Sequence, residues 1–119
     1  MPLYIIPTTV TETLKTLAQN SPAATVLTDL YTVPASTSTA ITSVVICNHN
    51  SVVEITFRIS IAIAGGVDDP KQYIYYDMPL SSNDTFVATI GLKLATTDVI
   101  RVYTNTANVS FSLFGTEIS

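Results

Sequence analysis

Apolar and polar residues alternate with a period of two along most of this chain. The longest run is SVVEITFRISIAIAGG, residues 51–66, where Val53, Ile55, Phe57, Ile59, Ile61 and Ile63 take every second position. Glu54, Thr56, Arg58, Ser60 and Ala62 fall between them. That period marks a strand with one buried face. Held over residues 52–64 at roughly 3.3 Å per residue, it predicts a strand about 40 Å long. Shorter runs predict strands over 12–18, 25–33, 39–48, 72–78, 85–94, 99–105 and 109–116, with turn-forming residues between them. Thr is the commonest residue, followed by Val and Ile, and these β-branched types favour extended backbone.

Local details refine the picture. Asn48-His49-Asn50 predicts a tight hairpin turn, and Gly65-Gly66-Val67-Asp68-Asp69-Pro70 a loop. TVTETLKTLAQN, residues 9–20, also fits a helical face through Val10, Leu14 and Leu17, with Thr9 or Thr11 as cap; its four threonines favour strand. Residues 41–47 are apolar on both faces, as expected of a central strand covered on both sides. The spacing of the turns implies an all-β fold, a single antiparallel β-sandwich or jelly roll of about eight strands spanning residues 9–119. Residues 1–8 stand apart as an extended N-terminal arm. Leu3, Tyr4, Ile5 and Ile6 lie between Pro2 and Pro7, and such an apolar arm is expected to dock by adding a strand to a neighbour's sheet edge.

Composition adds a second theme. The chain has 119 residues, enough for one core, and is 47% hydrophobic but only 12% charged, against about 25% charged in an average soluble domain. Its mean hydropathy is +0.42. No apolar run reaches the roughly 18 residues of a membrane helix, and the start lacks the cationic region of a signal peptide. A chain so poor in charge is expected to hide surface against neighbours, so a homo-oligomer is implied. The net charge of −4 and the scattering of Lys15, Arg58, Lys71, Lys93 and Arg101 argue against nucleic acid.

Little catalytic chemistry is in view. His49 is the single histidine; Ser51 is near it, but no nucleophile motif surrounds them. Cys47 and His49 lack the further ligands zinc requires, and Cys47 reads as a buried thiol. Asp68 and Asp69 lack the spacing of a calcium loop. No catalytic residue, metal or cofactor is expected. Tyr73, Tyr75 and Tyr76 offer another kind of site, since clustered tyrosines serve subunit contacts, sugar stacking or plain packing. Strict alternation puts Tyr73 and Tyr75 on one face and Ile74, Tyr76 and Met78 on the other. The interface candidates are thus Leu3, Tyr4, Ile5, Ile6, Tyr73 and Tyr75. Asn83 and Asn108 begin glycosylation sequons, which mean little without a secretion signal.

The ordered set DLYTVPAST (29–37), TSVVICNHN (42–50), TFRISIAIAGG (56–66), YIYYDMPLSSNDT (73–85), LKLATTDVIRVYT (92–104) and VSFSLFGTEI (109–118) resembles small virion structural proteins of tailed bacteriophages and prophages. The chain departs from that family's pattern at turns. Ser36 stands where Gly commonly follows Val-Pro-Ala, Asn48-His49-Asn50 replaces a Gly-containing turn, and Thr97-Asp98 replaces Gly-Asp. The last strands also look like the close of TNF- or C1q-like jelly rolls, which form trimers. The resemblance implies a non-enzymatic virion protein that assembles with itself, a trimer favoured, and with major capsid or tail proteins. Capsid decoration or cement and a neck or tail component are the places it implies; a fibre or baseplate tip binding a host receptor or glycan is the alternative. Made in the cytoplasm of a bacterial host, it would reside in the virion.

Overall fold

The computed structural model describes residues 10–119. The arm at 1–8, with Leu3, Tyr4, Ile5 and Ile6, lies outside the described residues. Eight strands follow in chain order: β1 (Glu12–Asn20), β2 (Thr28–Thr32), β3 (Ser38–Asn48), β4 (Ile55–Ala62), β5 (Tyr73–Leu80), β6 (Thr85–Leu94), β7 (Val99–Thr104) and β8 (Val109–Ile118). They form two antiparallel sheets, β1-β8-β3-β6 and β2-β7-β4-β5. The pairs β1·β8, β2·β7, β3·β6 and β4·β5 nest one inside the next, like a long hairpin rolled about its own axis. The contacts β3·β8 and β4·β7 then complete each sheet. This is a jelly roll, and each of the eight expected strands has its counterpart. The threonine-rich segment at 9–20 supplies strand β1, not a helix.

The inward positions of the two sheets build one core. Phe57, Phe111, Ile41, Ile46, Ile100 and Leu113 are almost wholly removed from water. The Phe57 ring lies 6.3 Å from Phe111, 5.7 Å from Phe86 and 6.1 Å from Tyr75, within the range of favourable aromatic packing.

Several expectations need correction. The long strand at 52–64 is only Ile55–Ala62. Val52 is 85% exposed, and the 3₁₀ turn Ile63–Gly65, with Ala64 at φ 53° and Gly65 at φ 68°, turns the chain away and leaves Ile63 77% exposed. The strand at 25–33 shortens to Thr28–Thr32 because Thr25 adopts φ 61° in a turn. Asn48-His49-Asn50 is no hairpin turn, since β3 and β4 belong to different sheets and the segment crosses between them. The buried Asn48 amide explains why. Its Nδ2 lies 2.9–3.1 Å from the carbonyl oxygens of Val53, Leu80 and Ser81, and its Oδ1 accepts from the Asn50 backbone and side chain. A polar side chain so placed must be bonded, and here the bonding fastens the β3–β4 connection to the β5–β6 connection at one end of the sandwich. The central strand β3 is covered on its inner face alone, with Val45 and Cys47 half-buried on the outside by strand neighbours.

At the opposite end a polar joint links the sheets. The Tyr31 hydroxyl on β2 pairs with Thr39 Oγ1 on β3 at 2.9 Å and donates to Glu117 Oε2 on β8 at 2.5 Å. Lys15 Nζ meets the other Glu117 oxygen at 2.5 Å. Burial and the Glu117 bond push the Tyr31 phenol up to about 12. The bonds from Lys15 and then Tyr31 hold the Glu117 carboxyl below its ordinary range.

Candidate functional site

The outer face of β2-β7-β4-β5 gathers Tyr73, Tyr76 and Tyr103 with Arg58, Arg101, Asp29 and Asp77. Cross-strand register sets Asp29, Arg101, Ser60 and Tyr73 in one row and Tyr103 beside Arg58 in the next. Alternation along β4 and β7 turns all of these outward. The Arg58 guanidinium lies 4.1 Å from the centre of the Tyr76 ring and 4.5 Å from that of Tyr103. Its Nε donates to Asp77 Oδ1 at 2.6 Å and its Nη2 to Oδ2 at 3.3 Å, a two-point clasp that raises the arginine pKa further. Arg101 is held as firmly. It donates to Asp29 at 3.0 Å and to the carbonyl oxygens of Gly66 and Gly65 at 2.7 and 3.2 Å, tying down the turn after β4.

Tyr73 closes the cluster. Its ring stands edge-on to Tyr76 at 5.0 Å, and its hydroxyl donates to Asp68 Oδ1 at 2.9 Å. Partial burial, with the Asp68 bond second, raises its pKa. Arg58, Asp68, Pro70, Tyr73 and Tyr76 line an open hollow of about 450 Å³. Tyr76 is 58% exposed at its rim.

Strict alternation misplaces the tyrosines. Tyr73 lies opposite Ser60 but Tyr75 opposite Ile59, so one extra residue, Ile74, is accommodated between them. A second slip sets both Tyr76 and Asp77 against Arg58, with Asp77 at φ 50°. These β-bulges reverse the facing of a strand at each step. Tyr73 and Tyr76 therefore share the outer face, whereas Tyr75 turns inward against Phe57 and Phe86. The sequence reading missed Arg58, Asp77 and Tyr103 as partners. The outward alternation of Arg58 on β4 and Tyr103 on β7 was the available signal; their cross-strand register was not.

The remaining candidates scatter. His49 Nε2 meets Ser110 Oγ at 2.8 Å rather than Ser51. Asp69 accepts from the Lys71 backbone as a turn cap. Among the described residues no three His, Cys, Asp or Glu side chains group to hold a metal ion.

The outer face of β1-β8-β3-β6 is of another kind. Its central rows are Thr89–Ser43–Phe114–Thr16, Val87–Val45–Ser112–Gln19 and Thr85–Cys47–Ser110. Charge enters its outward positions with Glu12 and Lys93, both at the end near the Tyr31 joint. Leu14 is 78% exposed and Val87 56%.

No family model matches the chain, and no curated protein matches it. Solved structures do. One is a chain of the T13 particle of infectious bursal disease virus, 13% identical, matched over 92% of this chain and 30% of that one with a TM-score of 0.52. Another is a chain of the Gx strain of infectious bursal disease virus, 14% identical, matched over 99% of this chain and 37% of that one with a TM-score of 0.52. The likeness is one of fold, and the present chain spans about a third of the length of each. Both matches come from infectious bursal disease virus, not from a tailed bacteriophage.

Proposed function

We propose that this chain is a non-enzymatic structural module of a virus particle that associates with copies of itself through the outer face of β1-β8-β3-β6. One observation carries the reading: a complete jelly roll, similar in fold to chains of a virus particle, presents an outer sheet face almost free of charge. Four strands at about 4.8 Å spacing and about ten residues at about 3.3 Å give that face about 600 Å² in projection. That is comparable to the roughly 800 Å² per partner of a stable interface. A surface of Val, Phe, Ser and Thr carries no charge pattern to repel its own copy, which makes a second copy its natural occupant. Following the sequence resemblance, the module belongs to a tailed-phage virion as a decoration, cement, neck or tail protein, a trimer by preference. Its arm, with Leu3, Tyr4, Ile5 and Ile6, would dock on other virion proteins.

Light scattering on a sizing column tests the assembly. A trimer or larger species is expected, whereas a stable monomer at about 100 μM, far above the range of ordinary specific interfaces, would remove the homotypic contact. Deleting residues 1–8 should abolish attachment to particles while the domain stays folded. A second reading, a fibre or baseplate tip that touches a host receptor or glycan, is favoured by the tyrosine hollow on the opposite face.

A further inference from the structure

We infer that the hollow between β5 and the 63–72 connection binds a neutral saccharide, stacked on Tyr76 with its hydroxyls taken by Asp68 and Arg58. The inference extends the tip reading to a named site and ligand class, and it holds wherever on a particle the module sits. The hollow's 450 Å³ falls within the usual range of small-ligand sites, about 300–1,000 Å³. Tyr76 presents more than half of its surface to solvent although Arg58 lies only 4.1 Å from its ring centre. Aromatic surface left open in this way suits the C–H face of a pyranose ring.

Polar groups flank that ring with unused capacity. The Tyr73 hydroxyl occupies Asp68 Oδ1, leaving Oδ2 to accept. Asp77 takes Arg58 through Nε and Nη2, leaving the Nη1 N–H groups to donate. An acceptor and a donor beside one aromatic ring match two neighbouring sugar hydroxyls, each of which can give or take a hydrogen bond. Rigidity favours the same use. Arg58 sits between two rings and in a two-point clasp, and Tyr73 braces Tyr76 edge-on, so little side-chain freedom remains to be lost on binding.

The charges select against ionic ligands. Asp77 already matches the Arg58 cation, and Asp68 adds a carboxylate to the rim, so a phosphate or acidic sugar meets repulsion without a free cation. A lysine side chain would meet Arg58. A neutral polyol meets neither obstacle.

Saturation-transfer NMR on the full chain with the methyl glycosides of glucose, galactose and mannose tests this. The sugars would be taken to about 50 mM, well above the Kd on the order of 1 mM that suits so shallow a site. Transfer to the ring protons of at least one sugar is expected. Tyr76→Ala should reduce it at least about fivefold and Tyr76→Phe should keep it, because stacking needs the ring and not the hydroxyl. Tyr76 is exposed, so the melting temperature should confirm that both variants fold. No transfer to any of the three sugars, transfer unaffected by Tyr76→Ala, or preference for N-acetylneuraminate would each overturn the proposal. Masses measured on the same samples separate the two ideas: lost sugar with intact assembly removes the site alone, and lost assembly with retained sugar removes the homotypic contact alone.

Discussion

The two sheets pack their inner faces into one core, yet their outer faces follow opposite rules. On β2-β7-β4-β5 the cations at the centre are already satisfied, Arg58 by Asp77 and two tyrosine rings, Arg101 by Asp29 and two carbonyls. On β1-β8-β3-β6 the centre carries valine, phenylalanine and small hydroxyls. The cations of the first face are satisfied within it, and its rim is where a small ligand is proposed to bind. The second is the face proposed to be covered by a copy of the chain. The contrast lies in where the charges sit: Arg58 and Arg101 occupy the middle of one outer face, whereas Glu12 and Lys93 keep to one end of the other.

The strongest test breaks the proposed contact face. Val45→Lys sets a cation in the middle of the uncharged face, and burying it unpaired should weaken self-association by at least about 100-fold, or ~3 kcal/mol. Light scattering should show monomer while the melting temperature barely moves; an intact assembly would sink this face as the contact. On the other face Arg58→Ala should leave assembly alone and cost about 1–2 kcal/mol in urea unfolding, the sum of two partly exposed cation–π contacts and a surface ion pair. Arg58→Lys should recover less than half of that loss, because an ammonium cannot clasp Asp77 at two points and stack as well.

The joint between the sheets should make both faces sensitive to pH together. Glu117 titrates below its ordinary 4.5 when folded, so its contribution is complete above about 4.5 and is lost as pH falls through the depressed value. Tyr31 runs the other way in pH. Raised from 10.0 to about 12, it holds its proton more tightly when folded, so stability declines as pH climbs from 10 towards 12. Glu117→Gln should flatten the acid limb of a stability–pH curve and Tyr31→Phe the alkaline limb; unchanged limbs would show that the joint does not couple to folding. The smallest change is expected at Ser60, whose buried hydroxyl finds no hydrogen-bond partner among the described residues. Ser60→Ala should be neutral or stabilising, within about 0.5 kcal/mol.

The number and order of strands were legible because a half-buried strand writes its period into side-chain type. Facing was legible only as far as the first bulge. Nothing in YIYYDMPL marks the extra residue at Ile74, and Asp77 at φ 50° is a conformation that aspartate merely tolerates. Ser60 is polar yet buried, because Arg101 and Tyr73 flank it across the sheet, a fact of register rather than of local sequence. Asn48 looked like a turn former and is instead a buried fastener between loops distant in the chain. Departures from the resembling family carried usable information. Ser36 and Thr97, which stand where that family has glycine, adopt φ 54° and 70°, the region in which glycine is at ease.

The nested pairing also sets a schedule for synthesis. β8 lies between β1 and β3 and, among the described residues, is the sole sheet partner of β1. Thr11 and Ser119 then exchange backbone hydrogen bonds across the span of the described chain. Until β8 has left the ribosome the β4–β5 pair can form, but the β1-β8-β3-β6 sheet cannot close, since the long loop joining β1 to β8 yields no contact before then. The face proposed to hold neighbours together therefore exists only once β8 has been made. A half-made chain would lack the proposed contact face.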